Sequence, residues 1–473
     1  MKRHYSLAVA ALIVTTVISC LAGSASKPRT RRLVFLYSAS ARGQIRSCNC
    51  TKFRFGGYGR ELTLLKQIRS AEKDVLLVEG GDSVGDTGFQ AELKAGVTAK
   101  ALRILGYAAI VPGEEELGIR GVRHLDKFAK DSVPILCGNL FSHGSKQRRY
   151  PLHKTVFTPS GLRVCLIGLV SPSILLSIFD RERPEKSREP VSELKTALKP
   201  TGTKADLVIV VYHGPTSEAR KLATIPGVDL VLAAHRGETN LPFPSGESNI
   251  VEAGHSKLGK GILVEAGTTN NWSLGKIELV LDAKGAIAWA KHSVVYLDRR
   301  YDEDPAMLAV YDDYNNKVKA AVLNRSVAFK KNAEGILTKR GLNLVELRSR
   351  NKKSPFATEA VCMTCHADIH ASWAQSRHAC AMATLEKSRQ DFDPECVTCH
   401  ATGVIARNGF VNRQETPELV NVQCEACHGP GAAHATSPAK GYGKVEEQTC
   451  RSCHTDDRSP DFDFQLALKK IKH

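Results

Sequence analysis

The chain has 473 residues, 42% hydrophobic and 24% charged, which is enough apolar content for two or three packed domains and excludes a disordered polymer. Its formal charge is +17, but the lysines and arginines are spread through both halves without a stripe interleaved with aromatics, so no nucleic-acid partner is expected. Lys2, Arg3 and His4 precede an apolar run, Leu7 to Ile18, too short for a comfortable membrane span, and residues 1–26 read as an export signal. Val17-Ile18-Ser19-Cys20 has the layout of a bacterial lipoprotein signal, in which Cys20 is lipidated and attaches the protein to a membrane. Ordinary cleavage near Ala22 to Ala25 and an uncleaved anchor are the alternatives. Either way the expected location is the periplasm or the outer surface of a bacterium.

From Arg31 to about Asp298 strand-like and helix-like segments alternate. Leu33 to Leu36 and Val75 to Val78 are short apolar runs typical of buried strands, and between them Leu62, Leu65 and Ile68 share one helical face. Further strand candidates are Ala108 to Val111, Arg163 to Val170, Leu207 to Tyr212 and Leu230 to Ala234. Several end in Gly, His or Asp, and the carboxyl ends of strands are where sites form in α/β proteins. Residues Ile262 to Leu297 are richer in strand patterns, with alternation in Lys276 to Leu281. The whole of 31–298 reads as a layered α/β domain. Residues 299–355 are polar and helix-prone, with Pro305 suited to a helix start, and read as a helical connector. After Pro355 strand signals vanish and Cys, His, Gly and Ala dominate, so 356–473 is a separate unit.

Eight of the 14 cysteines form four C-x-x-C-H motifs: Cys362/Cys365/His366, Cys396/Cys399/His400, Cys424/Cys427/His428 and Cys450/Cys453/His454. Their first cysteines are 34, 28 and 26 residues apart, so the segment is no solenoid. Two thiols at this spacing reach the two vinyl groups on one porphyrin edge, and the next imidazole lies under the iron. Zinc pairs need no His after every second Cys, so the motifs predict four covalent c-type haems. Their propionates would add roughly eight negative charges, a simple account of the basic protein. Sixth ligands are sought among His370, His378, His434 and His473. Of the remaining cysteines, Cys48 and Cys50 are too close for an easy mutual disulfide, and Cys137 and Cys165 are candidate partners for them; a thiolate metal site is the alternative. Cys20 belongs to the signal, and Cys380 is the thiol expected to stay free or bind something else.

Two resemblances follow. Residues from about 356 to 460, with Trp373-Ala-Gln-Ser376-Arg-His378 and Cys427-His428-Gly-Pro-Gly-Ala-Ala-His434, resemble the cytochrome c-554 family of tetrahaem carriers. That resemblance implies that His378 and His434 ligate haems other than their neighbours. Residues 31–298 resemble the 5′-nucleotidase-like metallophosphatases, which hold two metals at strand ends and activate a bridging water. The implied architecture is a layered α/β/β/α metallophosphatase-like sandwich followed by a mainly α, loop-rich tetrahaem domain. Gly80-Gly81-Asp82 keeps the family pattern, but Ser40 and Arg42 stand where two ligands are expected, Glu114 and Glu115 replace an Asn ligand and a catalytic His, and only His235 survives of the later His pair, with Gly237 in place of the second. Asp82, Glu114, His213 and His235 could still form one site for a divalent zinc, manganese or iron ion.

The expected function is electron transfer by an exported multihaem cytochrome, taking electrons from a redox partner protein or a quinone-linked donor. The alternative is an enzyme, acting on a small nitrogen or oxygen species at an open haem or hydrolysing a phosphoester beside a haem redox module.

Overall fold

A computed structural model describes residues 30–47, 54–85, 89–118, 121–142, 145–176, 185–199, 205–235, 244, 248–268, 270–323, 354–404, 406, 408–455, 458–459 and 461–471. Cys20, Cys48, Cys50, Gly237, His473 and most of the expected connector therefore lie outside the described residues. No helix among the described residues is long and apolar enough to cross a membrane.

The strands in chain order are β1 (Arg31–Ser38), β2 (Val75–Glu79), β3 (Ala109–Ile110), β4 (Leu140–Ser142), β5 (His153–Phe157), β6 (Arg163–Val170) and β7 (Glu185–Ser187). They continue as β8 (Leu207–His213), β9 (Leu230–Ala233), β10 (Ile250–Ala253), β11 (Ser256–Leu258), β12 (Gly261–Glu265), β13 (Ser273–Leu281) and β14 (Ile287–Tyr296). They build two six-stranded sheets, ordered β10-β14-β13-β1-β2-β3 and β11-β12-β9-β8-β6-β5, with β4 and β7 paired apart. In the first, β1, β2 and β3 run parallel and β13 returns antiparallel to β1. In the second, β6, β8, β9 and β12 are parallel.

Alternation along each strand explains the layering. In β1, Leu33, Phe35 and Tyr37 face the other sheet, whose Leu166, Ile209, Val211 and Leu232 meet them in one core. Val34 and Leu36 point the other way, under the helices Tyr58–Ala71 and Phe89–Leu105. Val208, Val210 and Tyr212 of β8 lie under the outer helices Pro190–Ala197 and Thr216–Ala223. The expected α/β/β/α sandwich is therefore present. The patterned segment Lys276 to Leu281 lies in β13, where buried and half-buried residues alternate.

A buried polar chain runs between β1, β2 and the first helix. Tyr107 Oη donates to Glu61 Oε1 (2.5 Å) and lies 2.6 Å from Ser38 Oγ, which in turn donates to Glu79. Glu61 and Glu79 are fully buried, and each leaves one carboxyl oxygen without a partner. Burial pushes the Glu61 carboxyl up from 4.5 to about 7, and pushes Glu79 well above the ordinary range.

Two findings concern the second half. The helix Pro305–Leu323 packs into the helical layer of the α/β domain through Met307, Tyr311, Tyr314 and Val318, and Tyr311 Oη donates to the Ile45 carbonyl (2.7 Å). The same core continues through Phe356, Met382, Leu385, Val397, Phe410 and Leu419 of the Cys-rich segment. That segment is helical and loop-rich among its described residues, with one isolated β-bridge, Ala401 to Val420. The α/β domain and the Cys-rich segment thus share one hydrophobic core.

Candidate functional site

Two clusters of chemistry-bearing side chains emerge. The first stands at the carboxyl ends of β2, β8 and β9, as expected for this fold class. Asp82 follows β2 through Gly80 and Gly81, His213 ends β8, and His235 lies just past β9. The glycines are required by space. A Cβ on Gly81 (φ 109°) would come 2.4 Å from His213 Nδ1, and one on Gly113 would come 2.3 Å from Asp82 Oδ1.

Donor atoms of Glu114, His213 and His235 all lie within 4.8 Å of one another. His213, fully buried, sits 2.7 Å through Nδ1 from the Gly80 carbonyl, which directs Nε2 toward Glu114 Oε2 (2.8 Å) and Asp82 Oδ2 (3.7 Å). His235 Nε2 is 3.2 Å from Glu114 Oε1, and the two imidazoles meet edge to face with centroids 5.1 Å apart. Asp82 Oδ1 accepts from the Glu115 N–H (3.1 Å), whereas Oδ2 is buried without a hydrogen-bond partner. Burial opposes charge on His213, but the Asp82 and Glu114 carboxylates prevail and raise it to about 9. Burial raises Asp82 to about 7 against the pull of His213. Glu114 is half-buried; burial works against its charge, but the two imidazoles hold its carboxyl well below the usual range. One carboxylate and two imidazoles with mutually close donor atoms, and the buried Asp82 carboxylate beside His213, are a donor set that fits a divalent cation.

Sequence reasoning passed over Glu116. Its buried carboxylate accepts from the N–H groups of Asp82 (2.9 Å), Ser83 (2.7 Å), Val84 (3.0 Å) and Gly113 (2.9 Å), tying the Asp82 loop to the Glu114 turn. Ser40 and Arg42 lie on a loop joined to the same segment, with Ser40 N–H to Gly81 O at 2.8 Å and Arg42 N–H to Asp82 O at 2.7 Å. Cys137 and Cys165 are buried, and neither forms a disulfide among the described residues.

The second cluster is the four Cys-Cys-His motifs, each on or beside a short helix: Glu359–Met363, Pro394–His400, Cys424–His428 and Glu447–Arg451. The first and last of these helices, and Ala367–Ala374 between them, bury no residue at all, although Val361 and Met363 are large and apolar. Helices of five to eight residues without burial lack a protein core to hold them, so an apolar group such as porphyrin fits this segment. The histidines are arranged accordingly. His366 pairs with His434 at a ring-centroid distance of 6.5 Å and 18° between planes, and His378 pairs with His454 at 6.3 Å. Two imidazoles bonded through nitrogen at about 2 Å to opposite sides of one metal have centroids roughly 6 Å apart. His400 Nδ1 is 2.7 Å from the Ala381 carbonyl and His428 Nδ1 is 2.6 Å from that of Gly443, which fixes the orientation of both rings. His370 is instead engaged with the Glu359 carboxylate.

The thiols are less uniformly placed than the identical spacings suggest: of the eight, Cys365 is exposed and the other seven are half-buried. Cys365 is exposed, with Thr364 Oγ1 3.8 Å from its sulfur. Cys453 is half-buried, with its sulfur 3.7 Å from the neighbouring Ser452 Oγ. The reason is positional. Cys365 lies two residues past the end of Glu359–Met363, and Cys453 lies two past the end of Glu447–Arg451. Glu359–Met363 buries no side chain, so no packed face covers Cys365. Cys396 and Cys399 lie instead within Pro394–His400, whose Pro394 and Val397 are buried.

Comparison with known proteins bears on both parts of the chain. The N-terminal part has the α/β fold of 5′-nucleotidase-like phosphoesterases: a 5′-nucleotidase precursor from Thermus thermophilus superposes with a TM-score of 0.51 at 18% identity, covering 61% of this chain and 59% of that one. A snake venom 5′-nucleotidase from Naja atra is 28% identical over 270 residues, 54% of this chain and 50% of the relative, so the chain spans about half the length of such relatives. Residues 361–429 match the family of cytochrome c554 and c-prime. Cytochrome c-554 of Nitrosomonas europaea is 33% identical over 93 residues, 16% of this chain and 40% of that one. The chain is therefore a fusion of a 5′-nucleotidase-like α/β domain with a cytochrome c554 segment.

Proposed function

We propose that this protein is an exported tetrahaem c-type cytochrome that carries electrons, with a 5′-nucleotidase-like domain that holds one divalent cation and lacks full phosphoesterase chemistry. The observation that carries the reading is the crossing of histidines between motifs: His434 opposite His366, and His378 opposite His454. Haem, once attached through the four cysteine pairs, supplies one-electron chemistry. The chain's own part is to fix the imidazoles and pack the haems close. Cys362 and Cys424 lie in side-chain contact, which sets the first and third motifs edge to edge. The exposed position of Cys365 supports a first haem near the surface, where a partner could exchange electrons with it.

In the α/β domain the residues that would hold the cation are Asp82, Glu114, His213 and His235. When bound, such an ion supplies Lewis acidity to a coordinated ligand. His213 is locked by Gly80, and Glu116 holds the loop that carries Asp82. The replacement of two expected ligands by Ser40 and Arg42 argues against a second metal, and Glu115 in place of a catalytic His argues against hydrolysis. Electrons would come from a redox partner protein or a quinone-linked donor outside the cytoplasm, with Cys20 as the membrane attachment.

The test is pyridine haemochrome quantitation with EPR of the oxidised protein. Four haems per chain, all low-spin, support the carrier reading. Fewer than four overturn the tetrahaem count, and a high-spin fraction that shifts with nitric oxide or nitrite replaces the carrier by a haem enzyme.

A further inference from the structure

The contact between the two halves is built around the second motif. Gln90 and Lys94 lie on the helix Phe89–Leu105, which starts shortly after the Asp82 loop. Gln90 Nε2 donates to Tyr314 Oη (2.8 Å) and to Asp393 Oδ1 (2.7 Å), all buried. Asp393 Oδ1 also accepts from the Glu395 N–H (2.9 Å) and so caps the helix Pro394–His400 that carries Cys396, Cys399 and His400. Lys94 forms an ion pair with Glu395, both side chains largely withdrawn from water at 10% and 16% exposure. The charged groups that act on the Cys396 thiol are Asp393, Arg458, Glu395 and Lys94. Of these, Lys94 is the one contributed by the α/β domain.

Charges in a desolvated contact act far more strongly than on a wet surface. Reduction of a haem takes one electron, turns ferric iron to ferrous, and makes and breaks no bond. A nearby cation favours that added electron and a nearby carboxylate opposes it. We infer that the α/β domain sets the reduction potential of the haem carried by Cys396, Cys399 and His400, with Lys94 and Gln90 as positioning residues that act through Glu395 and Asp393. This rests on the haem reading above. It gives the fusion a physical purpose: a domain without full hydrolase machinery holds one haem of the chain at its working potential.

The experiment is a spectroelectrochemical titration of the full-length haem-loaded protein and of its Lys94→Met, Lys94→Arg and Asp393→Asn variants, with peptide mass analysis locating each haem. Lys94→Met leaves Glu395 uncompensated and should lower one of the four midpoints, while Lys94→Arg restores it. Asp393→Asn keeps the cap and the Gln90 contact but removes a negative charge, so the same midpoint should rise. A tenfold change in the reduction equilibrium corresponds to about 59 mV for a one-electron couple, and shifts of that order are expected. Midpoints that stay put, or four that move together, overturn the inference. Should Lys94→Met fail to fold, Asp393→Asn decides alone. A wild-type protein without haem on the peptide containing Cys396 and Cys399 would instead overturn the haem reading, a result distinct from an unmoved midpoint.

Discussion

Glu61 offers a quantitative test of the α/β core. Its carboxyl is fully buried, receives one hydrogen bond from Tyr107, and is raised from 4.5 to about 7 by burial, with that hydrogen bond opposing. Below 4.5 the folded and unfolded chains are both protonated, and the group carries no ionisation penalty. As pH rises from there to 7, the unfolded chain releases its proton while the folded chain keeps it, so stability falls; above 7 the full loss remains. At about 1.36 kcal/mol per pH unit, the shift corresponds to about 3 kcal/mol. Glu61→Gln keeps an acceptor for Tyr107 and cannot ionise. Relative to wild type, the variant should therefore gain about 3 kcal/mol across that window, whatever constant offset its amide introduces. Urea unfolding monitored by circular dichroism between about pH 4 and pH 8 measures the difference. If the two stability curves run parallel, Glu61 is ionised in the folded protein and the burial argument is wrong.

Three further outcomes are expected. Glu116→Ala strips the acceptor from four backbone N–H groups and should destabilise by more than about 3 kcal/mol while abolishing metal uptake, measured by thermal unfolding and elemental analysis. Glu114→Ala should leave the fold intact and lower zinc or manganese binding by at least about tenfold, read by calorimetric titration. Phe410→Ala, at a residue 1% exposed in the shared core, should cost about 3–5 kcal/mol and loosen the α/β domain together with the Cys-rich segment, so that hydrogen exchange rises in both.

Much of this molecule is legible in its sequence because its strongest signals are local. Four identical spacings announce the haem attachment, and apolar runs ending in Gly-Gly-Asp or His announce strands with a site at their ends. The spacings say nothing of burial, however, and so could not separate the exposed Cys365 from Cys399 on its packed helix. The resemblance supplied Asp82, Glu114, His213 and His235; the donor atoms of the last three lie within 4.8 Å of one another, and of these Asp82 reaches only His213, at 3.7 Å. Glu116 escaped notice because its role is to fold back on backbone N–H groups 32–34 residues away, and a third acid in Glu-Glu-Glu carries no mark of that. Gln90 and Asp393 escaped for a similar reason: they meet across 303 residues, and neither belongs to a motif. The shared core was illegible because Leu385, Phe410 and Leu419 have no periodicity within a loop-rich segment.

That shared core fixes an order of assembly. Val397 sits between the two thiols of the second motif and is 1% exposed, packed in the common core. If haem is attached at Cys396 and Cys399 as proposed, it would have to be joined to this stretch before Val397 docks and the segment closes onto the α/β domain. The α/β domain, made first, meanwhile waits with the apolar face that Phe356, Leu385 and Phe410 later cover. Until the Cys-rich segment closes, the chain keeps an uncovered apolar face, which chaperones and proteases can recognise.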